Sequence, residues 1–204
     1  MGRTIVYIVI GYLSGSILFA RLWTHLRGGE VALLATKDSN PGVANAFACG
    51  GFTSGVLTLL GDLLKGFLPV CLFTQYAILE PQPLELALVM AAPVLGHAFS
   101  LFYGGQGGKG ITVSFGVLLG LTPHLAPAAV LAFFFIFFSL IVKIVPNFYR
   151  TAVTYLAASA ALMMLGGHDG SALGFLLMTV IVCLRLHLSP ETREEWKVEF
   201  PWRS

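Results

Sequence analysis

Charge is what this sequence has least of. Only 11% of its 204 residues are Asp, Glu, Lys or Arg, while 56% are hydrophobic; soluble domains carry roughly a quarter charged residues. A chain so poor in charge cannot clothe a water-facing surface, which excludes a soluble globular domain and leaves an integral membrane protein. The net charge of +2 is too small and too scattered to hold a nucleic acid by its phosphates. Cysteine is scarce too. Cys49, Cys71 and Cys183 lie far apart, share no metal-ligand spacing and read as buried free thiols. The histidines, among them His25, His124 and His168, form neither a zinc pattern nor a nucleophilic triad, so no metal and no cofactor is expected. No internal repeat is evident, which argues against a transporter built from inverted halves.

What the chain has instead is apolar runs. They occupy residues 4–24, 51–79, 84–103, 111–121, 124–145, 151–165 and 171–188, which predicts an all-α integral membrane protein with about seven transmembrane helices. The first run is long, lacks a convincing small-residue cleavage site and is followed by further spans, so it reads as a retained helix rather than a signal peptide. The fourth, of about 11 residues, is too short to cross a bilayer core and is expected to be buried by its neighbours or to continue the loop before it. With the N-terminus outside and the C-terminus cytoplasmic, ten of the twelve basic residues fall on the inner side; Arg3 lies outside and Lys65 falls within the second run. Residues 1–190 then make a single polytopic membrane domain. Residues 191–204 make a short polar cytoplasmic tail, with Trp196 and Trp202 suited to the membrane interface.

Three polar stretches interrupt this pattern. Residues 104–110 hold five glycines and Lys109. Glycines let backbone N–H groups approach a ligand, a following helix adds its unpaired N-terminal donors, and the lysine adds a full charge, which together suit a phosphate. The spacing is not a Walker A loop: Ile111 follows Gly110, where that motif needs a hydroxyl after its lysine. A tight cytoplasmic loop with an orienting charge is the competing reading. Residues 37–45 form the most polar stretch between the first two spans, and the assumed topology puts it on the same side as the glycine turn. It reads either as part of a shared site or as a plain inner loop. Asp62 and Lys65 stand three apart in the second run and so share a helix face, as a structural ion pair, a substrate contact, or both. His97, in the span that leads into the glycine turn, reads as a packed hydrogen-bonding residue or as a proton carrier. Gly11 with Ser14, Gly15 and Ser16 gives the first span a small-residue face for close helix packing.

In this order the pieces resemble the bacterial acyl-phosphate-dependent glycerol-3-phosphate acyltransferase family, often called PlsY. The matching residues are Gly15-Ser16-Ile17 with Phe19-Ala20, Asn40-Pro41-Gly42 with Asn45, Asp62 with Lys65-Gly66, and Gly96-His97, Phe99, Phe102 and Gly107-Gly108-Lys109-Gly110. The Gly-His pair followed ten residues later by Gly-Gly-Lys-Gly is the most specific of them. The resemblance implies a multi-pass protein of a bacterial plasma membrane that moves a fatty acyl group from acyl phosphate to the 1-hydroxyl of glycerol 3-phosphate, with membrane lipid as its surroundings. It implies Lys109, His97 and Asn40 as catalytic residues. Gly107, Gly108, Gly110, Asn45, Ser39, Asp62, Lys65 and His187 would contact substrate or phosphate. On this reading Lys109 and the N–H groups of Gly107, Gly108 and Gly110 hold a phosphate, Asn40 and Asn45 orient the acceptor, and an apolar groove takes the acyl tail.

Departures from the family pattern are specific. A family serine falls on Asp38, an expected arginine falls on Ala48, and an expected asparagine near the C-terminal end falls on Pro190. A carboxylate in place of a serine predicts weaker anion binding, with Lys37 beside it as a compensating charge. These differences leave two further readings open: a divergent relative that acylates another acceptor, and a non-catalytic lipid-binding or transport protein.

Overall fold

The computed structural model describes residues 2–28, 32–33, 35–36, 39–76, 81–166, 170–189 and 195–200. Lys37, Asp38, His168, Pro190 and Trp202, each singled out from the sequence, lie outside them. Among the described residues, five stretches are long and apolar enough to cross a membrane: Gly2–Leu26, Val43–Gln75, Pro83–Tyr103, Asn147–Leu165 and Gly170–His187. Their polarity is inverted relative to a soluble protein. Ile5, Val9, Leu60, Leu68 and Val180 are exposed on the outer faces, whereas Thr4, Ser16, Thr58 and Thr179 are buried between helices.

The first run is two helices, α1 (Gly2–Ser16) and α2 (Phe19–Leu26). The break at Ile17 and Leu18 frees the Ile17 carbonyl from any helical partner, and a lysine from another helix takes it, as described below. The second run forms α3, which starts at Val43 rather than residue 51 and runs to Gln75 with a kink at Gly51 (φ 75°, ψ −177°). Only glycine adopts that conformation cheaply. The kink turns the first eight residues back along the rest, so closely that a Cβ at Gly55 would collide with the ring of Phe47.

Helix α4 (Pro83–Ala98) opens with proline in its first turn, where a missing N–H costs nothing. It crosses α1 through small residues on both sides: a Cβ at Gly15 would strike the Pro93 carbonyl, and one at Gly96 the Tyr12 carbonyl. The small-residue face of the first span therefore serves packing, as expected. A 3-10 turn (Leu101–Tyr103) and the glycine turn lead into α5 (Ile111–Leu119). At nine residues α5 spans about 14 Å, half a bilayer core. It survives at membrane depth because α3 covers it: a Cβ at Gly66 would meet the Val113 carbonyl, and one at Gly116 the Leu63 carbonyl.

Helix α6 (Ala126–Ile136) continues as a π-helical turn to Ile141 and stops there. The expectation of one helix over 124–145 is corrected at its end, where β1 (Lys143–Val145) pairs antiparallel with β2 (Lys197–Glu199). Among the described residues the fold is thus helical apart from one two-stranded ribbon, closed by a Lys143–Glu199 ion pair at 2.6 Å. Helices α7 (Asn147–Gly166) and α8 (Gly170–His187) complete the bundle, with Tyr155 of α7 stacked on Phe175 of α8 at 5.7 Å in the core. The three cysteines are free and half-buried rather than fully enclosed.

Candidate functional site

The glycine turn and the first polar segment meet. The backbone N–H of Lys109 donates to Asn40 Oδ1 at 3.1 Å, across 69 residues of chain. Between them lies a cavity of about 350 Å³ lined by Asn40, Gly42 to Ala44, Asp62, His97 and Lys109 to Thr112. The kink in α3 makes this possible. In a straight helix Ala44 and Asp62 would stand about 27 Å apart, yet both line this one cavity.

Each wall has a local cause. Gly107 and Gly108 sit where a side chain cannot: a Cβ at Gly107 would collide with the His97 carbonyl, and one at Gly108 with His97 Nε2. Gly110 takes φ 79° to turn the chain into α5, so that the first turn of α5, with its unpaired N–H donors, opens on the cavity beside Lys109. Two other N–H groups of the turn are already used. That of Gly108 goes to the His97 carbonyl at 3.0 Å and that of Lys109 to Asn40. The expectation that Gly108 offers its N–H to a phosphate is therefore corrected; Ile111 and Thr112, in the first turn of α5, line the cavity instead.

Beneath the cavity lies a buried charged cluster. Lys65 Nζ pairs with Asp62 Oδ1 at 2.7 Å, donates to the Ile17 carbonyl at 2.6 Å and meets His97 Nδ1 at 2.9 Å. Lys65 and His97 are only 4% and 3% exposed and Asp62 1%, so the low-dielectric setting makes each of these contacts costly to lose. The cluster ties α3 to the α1–α2 break and to α4. Asp62 and His97 also line the cavity, while Lys65 stands behind them.

Other sequence candidates are placed differently. Asn45 turns its amide back on the loop, donating to Thr36 Oγ1 at 3.1 Å and to the Asn40 carbonyl at 2.9 Å. It shapes the loop that presents Asn40 and does not line the cavity. Ser39 has φ 45° and its hydroxyl lies 3.4 Å from the Thr36 carbonyl, also off the cavity. His187 is exposed at the end of α8 and is not part of the lining. Ala48, where an arginine is expected, is an exposed residue of α3 outside the lining.

Two arginines were not singled out from the sequence except as inner charges. Arg185 donates to the Gly107 carbonyl at 2.6 Å. Arg21 packs its guanidinium over the Tyr103 ring at 4.8 Å and reaches Gln106 Oε1 at 3.4 Å. Between them they brace the glycine turn and the residue before it. Thr112 was also missed, and the signal for it is plain in retrospect: a turn ending at Gly110 makes residue 112 part of the first helical turn.

Residues 5–191 match the family model described as glycerol-3-phosphate acyltransferase. Similar curated proteins include the glycerol-3-phosphate acyltransferases of Albidiferax ferrireducens, 38% identical over 141 residues, and Hydrogenobaculum sp., 37% identical over 130. The matched stretches cover 65% and 64% of this chain, and 61% and 64% of the relatives' lengths, less than two thirds of each. The enzyme of Pseudomonas entomophila is 37% identical over 180 residues, 86% of both chains. Crystal structures of PlsY, an integral membrane glycerol 3-phosphate acyltransferase, superpose in the glycerol 3-phosphate form with a TM-score of 0.73 at 24% identity and in the lysophosphatidic acid form with 0.72 at 23%. Each comparison covers 89% of this chain and 87% of the other, and fixes the fold. Matched by the family model over nearly its whole length and built on the same fold, the chain belongs to the glycerol-3-phosphate acyltransferase family as a multi-pass integral membrane protein.

Proposed function

We propose that the chain transfers a fatty acyl group from acyl phosphate to the 1-hydroxyl of glycerol 3-phosphate, yielding lysophosphatidic acid and inorganic phosphate. The observation that carries this reading is the docking of Lys109 on Asn40 around a cavity that opens on a helix N-terminus. A lysine, helix-terminal N–H groups and an apolar surround suit a phosphorylated molecule with a lipid tail. Acyl phosphate is a mixed anhydride with a good leaving group, so positioning and charge stabilisation suffice without a covalent intermediate.

In the reaction the acceptor oxygen forms a bond to the acyl carbon, the bond from that carbon to the phosphate oxygen breaks, and the hydroxyl proton leaves with the phosphate as hydrogen phosphate. Lys109 holds the phosphoryl group, Asn40 fixes the turn that carries Lys109, and the exposed Leu101 and Phe102 ahead of the turn offer apolar surface to the acyl chain. The orientation that fits the distribution of basic residues puts the N-terminus outside and the C-terminus and site in the cytoplasm of a bacterial cell. The bacterial origin of the matched relatives supports that membrane.

Purified protein in lipid nanodiscs, given acyl phosphate and glycerol 3-phosphate, should release phosphate and form lysophosphatidic acid in equal amounts. Absence of both products beside an active control enzyme overturns the assignment. A second reading keeps acyl transfer and changes the acceptor. It is favoured by the two departures from the family pattern in the first polar segment, Asp38 in place of a serine and Ala48 in place of an arginine. Lipid analysis of cells that overproduce the protein separates the two, because it identifies the acylated product directly.

A further inference from the structure

The role of His97 can be read from its neighbours. A lysine ammonium has three N–H donors and no acceptor. Lys65 Nζ donates to the Ile17 carbonyl at 2.6 Å, makes an ion pair with Asp62 Oδ1 at 2.7 Å that is not aligned as a hydrogen bond, and lies 2.9 Å from His97 Nδ1. Nδ1 must therefore present its lone pair. An imidazole whose Nδ1 accepts carries its proton on Nε2, and an imidazolium there would turn an N–H toward the ammonium.

Nε2 lies on the other side of the ring, against Gly108, and His97 shares the cavity lining with Lys109. Among the described residues the polar contacts of the His97 side chain all run through Nδ1. The task of holding the glycine turn falls to its backbone carbonyl, which takes the Gly108 N–H. The side chain is 3% exposed, so an N–H at Nε2 needs an acceptor that the cavity's ligand can supply.

We infer that His97 is a fixed hydrogen-bond donor through Nε2–H to a phosphoryl oxygen bound in this cavity, with Lys65 and Asp62 as the positioning residues that set its tautomer. This rests on the reading of the cavity as a phosphoryl site. It also removes His97 as the base for the acceptor hydroxyl, since neither nitrogen then has a lone pair to offer. The phosphoryl oxygen takes that proton, and the donor at Nε2 meets the charge that grows on the departing phosphate.

Two measurements on the full-length protein in nanodiscs test this. The first is nitrogen NMR with 15N-histidine, with His97 assigned by its loss in His97→Gln. The wild type should show a protonated Nε2 and an unprotonated Nδ1, and added inorganic phosphate should shift Nε2 more than Nδ1. The double variant Asp62→Leu with Lys65→Met removes both charges together, so no buried ion is left unpaired, and it should let both tautomers appear. A protonated Nδ1 in the wild type, no response to phosphate, or an unchanged tautomer in the double variant overturns the inference.

The second measurement compares His97→Phe with His97→Gln, whose amide can place an N–H near the position of Nε2. The phenylalanine variant should lose about 100-fold in kcat/KM and the glutamine variant roughly 10-fold; equal losses overturn the donor role. A loss confined to KM for glycerol 3-phosphate assigns Nε2–H to the acceptor's phosphate, and a loss in kcat assigns it to the leaving phosphate. Wild-type protein that transfers no acyl group, while phosphate still moves Nε2, defeats the proposed reaction and leaves the donor standing.

Discussion

Among the described residues, two cavities of nearly equal size lie at opposite ends of α3, and they differ in kind. One, about 350 Å³, gathers Asn40, Asp62, His97 and Lys109 from the first polar segment, α3, α4 and the glycine turn. The other, about 320 Å³, lies by Thr74, Gln75, Thr122, His124 and Ser171, and among the described residues its lining holds no Asp, Glu, Lys or Arg. Volume does not distinguish them. What does is a lining that combines Asp62 and His97 of the buried cluster, the first turn of a helix and Lys109, brought together from distant parts of the chain. The second cavity is where short connections between spans leave room, and its polar groups largely serve the backbone: Gln75 donates to the Thr122 carbonyl at 3.1 Å.

That contrast can be broken or sharpened by substitution. The largest effect is expected from Lys65→Met alone, which strands the Asp62 carboxylate in the membrane interior. It should cost about 3–5 kcal/mol, read as loss of folded protein in a detergent-resistance or thermal assay. A stable variant would mean that the cluster is hydrated and not the anchor described here. Lys109→Ala should leave folding intact and lower turnover by about 100- to 1,000-fold, measured as phosphate release; a near-normal rate would remove the lysine from the site.

Gly51→Ala tests the kink. Nothing lies within 4 Å of a Cβ there, so the cost is that of the backbone, about 1–3 kcal/mol. Activity should fall with stability, because the two walls of the cavity share this bend. Asn45→Ala should cost about 1 kcal/mol through its lost bonds to Thr36 and the Asn40 carbonyl, and should raise KM more than it lowers kcat. His124→Ala, in the other cavity, should change stability by no more than about 0.5 kcal/mol and leave turnover unaltered. If it impairs acyl transfer as Lys109→Ala does, the two ends of the molecule are not distinct in function.

Much of the site was legible in the sequence because its parts are of unusual composition. Five glycines beside a lysine, and an Asp and a Lys three apart inside an apolar run, stand out against their surroundings. Asn45 and the Gly108 N–H meet partners other than those expected, and for one reason. Residue type indicates that a group can hydrogen-bond, but not which of several nearby acceptors it will meet. Asn45 found its own loop, and Gly108 found the His97 carbonyl. Arg185 was passed over because nothing local marks a residue whose partner is 78 positions away.

The amino-acid order alone determined that this is a membrane protein, where its apolar runs fall, that α5 is too short to span and that the glycine turn is special. Those properties depend on composition and on backbone freedom within a few residues. The tertiary structure alone decided that α3 folds back at Gly51, that the broken first span lends its Ile17 carbonyl to Lys65, and that His97 faces the cavity with one nitrogen already engaged. Each of these is a meeting of groups far apart in the chain, and it is the packing of whole helices that selects which buried donor and which buried acceptor satisfy one another.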